Sequence, residues 1–142
     1  MRVINLIAAV ALAIFALTFL AVPTFAGEPM DEAAFKQLLV DHSPWSLYWE
    51  NSQADGTFKM SFSVGDNDAF TGKFFDNSGG RQDGVWKDIV VHDNKCVSFT
   101  SSTTGTKYDH CLEEDGTLKG TQEFTDWAGE TFLGKTVARP AQ

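Results

Sequence analysis

The chain has 142 residues, a net charge of −8 and 13% aromatic residues. The acidic balance argues against nucleic acid and anionic lipid as partners. The length allows one domain around one core.

The first 26 residues read as a signal peptide. Arg2 is followed by an apolar run from Val3 to Val22, broken only by Asn5 and Thr18. Pro23 then ends the run, and Thr24 and Ala26 place small residues at the −3 and −1 positions of a cleavage site after Ala26. About 20 apolar residues can also span a bilayer, so an uncleaved anchor is the alternative. Cleavage leaves no stable membrane span, one more unit of negative charge, and a periplasmic or secreted protein. Cys96 and Cys111 are the only cysteines. In an exported chain they read as one disulfide.

Residues 27–44 form a lead-in with one short helix. Phe35, Leu38 and Leu39 recur at helical spacing, Asp31 and Glu32 suit a helix N-terminus, and Asp41-His42-Ser43-Pro44 stops it. From Trp45 to the end the period is two. Trp45, Leu47 and Trp49 alternate with polar residues, and Ala54-Asp55-Gly56 reads as a turn. Phe58, Met60, Phe62 and Val64 make the cleanest alternation. Phe70, Gly72 and Phe74 follow, then a Gly/Asn/Asp loop over residues 76–84. Val85–His92 carries apolar groups on both faces, so it is either central or bulged. The remaining turn signals divide residues 93–142 into four more strands. The pattern predicts an all-β, antiparallel up-and-down meander of about eight strands closing into a small barrel over residues 45–142.

The cysteines sharpen this. Pairing Cys96 with Cys111 leaves Ser102–Gly105 as a four-residue hairpin loop, with Gly105 available for positive φ. Cys96, Ser98 and Thr100 then share a polar outer face with Lys107, Asp109 and Cys111. Val97, Phe99, Tyr108, His110 and Leu112 point inward. A three-residue loop at Glu114-Asp115-Gly116 sets Leu112 opposite Leu118, His110 opposite Gly120 and Tyr108 opposite Gln122. Three polar-tipped side chains thus converge in an apolar interior and need partners, from one another, from water or from a ligand.

The chain carries no P-loop, HExxH or G-x-S-x-G, and no two of His42, His92 and His110 stand at metal-ligand spacing. No cofactor or metal is expected. Acidic turns at Asp66-Asn67-Asp68 and around Asp76, Asn77 and Asp83 do not follow the EF-hand spacing. The predicted site is therefore a ligand pocket with Tyr108, His110 and Gln122 as polar anchors and Trp45, Trp49 and Trp86 as walls. This implies a small-molecule-binding module rather than an enzyme, for an apolar or amphipathic ligand. The alternatives are a protein-interaction module working through its loops, such as an inhibitor of an extracellular enzyme, and a barrel enzyme with a His–carboxylate pair in one mouth. Outward Tyr48 and loop Trp127 suit a stacking surface for a sugar or a partner.

Two resemblances add to this reading. Trp49-Glu50-Asn51, Gly56-Thr57 with Met60, and Phe70-Thr71-Gly72-Lys73-Phe74 resemble the first strands of avidin-type barrels, which carry W-x-N, G-S-x-M and F-x-G-x-Y. The resemblance implies that Asn51 and Thr57 lie near a ureido site, although Phe74 stands where that family has a Tyr. Asp83-Gly84-Val85-Trp86, Asn94-Lys95-Cys96, His110-Cys111 and Asp115-Gly116 are similar to small exported bacterial proteins with a G-x-W…C…C hairpin.

Overall fold

A computed structural model describes residues 29–75 and 83–142. The leader lies outside the described residues, and so does most of the 76–84 loop. One helix, α1 (Glu32–Asp41), precedes eight strands: β1 (Trp45–Asn51), β2 (Asp55–Val64), β3 (Phe70–Phe75), β4 (Gly84–His92), β5 (Cys96–Ser101), β6 (Lys107–Leu112), β7 (Leu118–Thr125) and β8 (Thr131–Pro140). Each strand pairs antiparallel with the next, and β8 closes on β1 to form a barrel. Among the described residues each strand therefore has a paired neighbour on both sides. Among the described residues no helix is long and apolar enough to cross a membrane.

The helix starts where Asp31 caps it, accepting a 2.7 Å bond from the Ala34 N–H. Its Phe35 and Leu39 are fully buried against one end of the barrel. Trp45, the first residue of β1, donates its indole N–H to the Leu39 carbonyl at 2.9 Å. Ser43 ties the same region to β2 by accepting the Phe62 N–H at 2.8 Å. This end is plugged, so the opposite end is the mouth. It carries the β1–β2, β5–β6 and β7–β8 connections.

The cysteine register holds. Cys96 and Cys111 form a disulfide, and Ser98 faces Asp109, Phe99 faces Tyr108, His110 faces Gly120 and Tyr108 faces Gln122. The hairpin loop is closed by bonds from the Ser101 N–H to the Thr106 carbonyl and from the Gly105 N–H to the Ser101 carbonyl, with Gly105 at φ +70°. Gly116, at φ +78°, does the same for the β6–β7 turn.

One reading changes and one open alternative is decided. The first turn is Asn51–Ala54, because the Asn51 side-chain oxygen accepts from the Gln53 and Ala54 N–H groups. Asp55 and Gly56 belong to β2 and pair with Glu50 and Trp49. The alternative concerns β4, which is bulged between Lys87 and Val90, with Asp88 at φ 53°. The extra residue flips the phase. Trp86 points in before it and Ile89 and Val91 pack on the core after it, while Val85 and Val90 are about half exposed. Both faces therefore look apolar in the sequence.

Interior glycines make room for rings. A Cβ on Gly56 would fall 2.9 Å from the Trp49 indole, one on Gly84 2.2 Å from Phe74, and one on Gly72 2.5 Å from Trp86. Trp86 is the hub of the aromatic cluster, with ring centroids 4.5 Å from Phe74 and 4.4 Å from Phe99. Gly120 differs, since a Cβ there would lie 1.8 Å from the Asp109 carbonyl oxygen. That neighbour is backbone and cannot rotate away.

Two stability outcomes follow. Gly120→Ala is expected to cost about 3 kcal/mol or more, because β7 must move off β6. Replacing Cys96 and Cys111 together by Ala is expected to cost roughly 3 kcal/mol, the chain-entropy value for a loop of about this length. Denaturant unfolding of both variants against the parent measures these losses. A Gly120→Ala protein as stable as the parent would contradict the close approach of the two strands.

Candidate functional site

The mouth holds a cavity of about 170 Å³. Trp49, Tyr108, Phe124 and Phe132 supply its aromatic wall. The strand phase puts them there: Tyr108 and Phe124 come from inward positions of β6 and β7, and Phe132 faces Phe124 across the β7–β8 pair. The Phe124 and Phe132 rings stack with centroids 6.3 Å apart. The polar part of the lining comes from Asn51, Gln53, Thr104, Thr106 and Gln122. None of the described lining residues carries a charge.

Most of these polar groups serve their own turns. Asn51 holds the β1–β2 turn, and the Thr104 and Thr106 hydroxyls bond each other at 2.7 Å. Gln122 does not. It is 3% exposed, its amide nitrogen has no protein acceptor, and it lies over Gly134, where a Cβ would come within 2.7 Å of that nitrogen. An unmet buried donor costs about 1–3 kcal/mol.

The predicted site residues divide. Tyr108, Gln122 and Trp49 meet at the cavity. His110 lies one row deeper, in line with Gly120, Thr136 and Trp49 along the register, and is fully buried. Its ring is nearly parallel to Phe99 and Tyr108, at centroid distances of 5.5 and 6.1 Å. Neither of its nitrogens has a protein partner, nor does the Thr136 hydroxyl. Trp86 stands in the aromatic core with its indole nitrogen unmet, and Trp45 sits at the plugged end, away from the cavity.

Burial pushes the His110 pKa down to about 4, against a smaller upward pull from Asp109. The ring is thus neutral at ordinary pH. Between about pH 6.5 and pH 4 the unfolded chain binds a proton that the folded barrel excludes. This contribution to stability is complete above pH 6.5 and falls by roughly 3 kcal/mol as the pH drops to 4.

A second histidine lies on the outside of the same wall. His92 ends β4 opposite Cys96, and its two ring nitrogens lie 3.0 Å from an Asp93 oxygen and 2.9 Å from an Asp109 oxygen. These hydrogen bonds, Asp93 first and then Asp109, raise its pKa. The stability it adds is full below the unfolded value and is lost as pH rises through the raised one. The donor atoms of His92, Asp93 and Cys96 lie within 4.8 Å of one another, but the Cys96 sulfur is bonded to Cys111 and offers no thiolate. Cys96 faces outward by register yet is only 3% exposed.

The avidin-like positions behave differently from what that resemblance implies. The Asn51 oxygen is committed to its turn, and Thr57 pairs with Tyr48 on the outer face. Phe74 fills the space over Gly84. Comparison with models of protein families, with curated proteins and with solved structures finds no match.

NMR titration of the two rings checks this electrostatic picture. His92 is expected to titrate above 6.5 and to move down in Asp109→Asn. His110 is expected to titrate near 4. His110→Leu should flatten the loss of stability between pH 7 and pH 4 relative to the parent, and superimposable stability profiles would contradict a neutral buried His110.

Proposed function

We propose that this protein is an exported binding module that holds a small molecule in the barrel mouth. The mouth cavity carries the reading. It joins an aromatic wall to a buried amide donor without a partner, in a barrel whose other end is plugged. Eight-stranded barrels have room inside for side chains or for one small ligand, and this interior has both an aromatic core and a cavity. The disulfide and the apolar leader sequence support an oxidising, extracytoplasmic location.

A binder is favoured over an enzyme. His110 stands behind the cavity without a carboxylate to orient it, and the paired His92 faces outward, on the wall rather than in the mouth. General acid–base work needs a titrating group within reach of bound substrate.

One observation favours a second reading, a protein-interaction module. Trp127 is 98% exposed at the tip of the β7–β8 hairpin. Its turn is fixed, because one Asp126 carboxylate oxygen accepts from both the Ala128 and Glu130 N–H groups at 2.9 Å. An exposed Trp on a rigid turn is an anchor of the kind that dominates protein interfaces.

Native mass spectrometry of the protein isolated from its own compartment separates the two readings. The first expects a bound species of low mass, absent from a Phe132→Trp variant whose larger ring fills the mouth. The second expects bare protein in that measurement and a partner protein that Trp127→Ser releases. A small molecule retained by Phe132→Trp would count against the mouth as its site.

A further inference from the structure

We infer that the mouth selects an uncharged, single-ring molecule bearing a hydrogen-bond acceptor, which the Gln122 amide nitrogen binds. This rests on the reading of the mouth as a binding site and names its ligand class.

Size comes first. A dry apolar cavity of about 150 Å³ holds one benzene. The mouth cavity, at about 170 Å³, holds one ring with a small substituent, and is too small for a long acyl chain or a large fused cofactor. Shape follows from the walls. Trp49, Tyr108 and the stacked Phe124–Phe132 pair present flat aromatic surfaces, and rings pack well against such surfaces.

Charge is excluded by the lining. Its described residues include no carboxylate, ammonium or guanidinium. A charged ligand would leave water and meet no counter-charge, which is a large penalty. The row beneath offers none either, since His110 is buried between aromatic rings and its partners along the register are Gly120, Thr136 and Trp49.

The acceptor is required by Gln122. Asn51, Thr104 and Thr106 hold their own turns, whereas the Gln122 nitrogen has no acceptor. The terminal torsion of a glutamine is soft, so the amide can turn from Gly134 toward a carbonyl oxygen in the cavity. The bond would then satisfy a donor for which the protein supplies no acceptor.

Titrating the folded, disulfide-bonded protein with benzamide, toluene and benzoate tests this, read from the Trp49 indole resonance by NMR. Benzamide is expected to bind at least about tenfold more tightly than either of the others. In Gln122→Met, which keeps the length and removes the donor, the preference for benzamide over toluene should disappear. Gln122→Leu is the second variant should the first not fold. Benzoate equal to benzamide would overturn the charge selection, and benzamide unaffected by loss of the amide would overturn the role of Gln122. If none of the three probes binds at millimolar concentration, the mouth is not a small-molecule site and the underlying reading fails with it.

Discussion

The interior of a closed eight-stranded barrel is narrow, and this chain fills it with aromatic rings. Those two facts are compatible only because glycines stand beside the rings. Trp49 lies over Gly56, Phe74 over Gly84 and Trp86 over Gly72, each at a separation that any Cβ would violate. A ring laid flat on bare backbone keeps its apolar burial and occupies little of the cross-section. The same substitution of backbone for side chain at Gly134 lets Gln122 lie down beside the mouth. Glycine positions therefore set which part of the barrel is solid and which part is hollow.

Polarity also changes along the barrel. Near the helix the core is hydrocarbon, sealed by Phe35 and Leu39. In the middle comes a row containing His110 and Thr136, whose polar atoms find no protein partner. Above it lies the cavity. Such unmet groups lower stability, and apolar residues of similar size would pack there without penalty. Their position directly below a cavity matches the general tendency of binding sites to concentrate unsatisfied polar groups.

Much of this was legible from two cysteines. Their spacing, with a glycine at the right place in the intervening loop, is consistent with only one hairpin register, and that register carries Tyr108, His110 and Gln122 to the inside. Trp45 was harder to place. Its strand phase is inward, but phase does not say which end of the barrel a residue occupies, and the helix takes that end. In the sequence β4 reads as either central or bulged, because a one-residue phase shift puts apolar residues on both faces and erases the alternation that would decide between them. Gly56 looked like a turn residue because glycine serves turns and close approaches equally well. His92 could have been found. Asp93-Asn94, both at positive φ, form a tight return that sets His92 opposite Cys96 and beside the outward Asp109.

The disulfide joins the root of the β5–β6 hairpin, at the plugged end, whereas Thr104 and Thr106 at its tip form part of the cavity rim. The hairpin is thus clamped at its base by the sulfurs and tied near its tip to β4 by two hydrogen bonds between Ser102 and Val85. The hairpin is therefore held at both ends, and the register that carries Tyr108 and His110 inward is fixed from the plugged end to the rim.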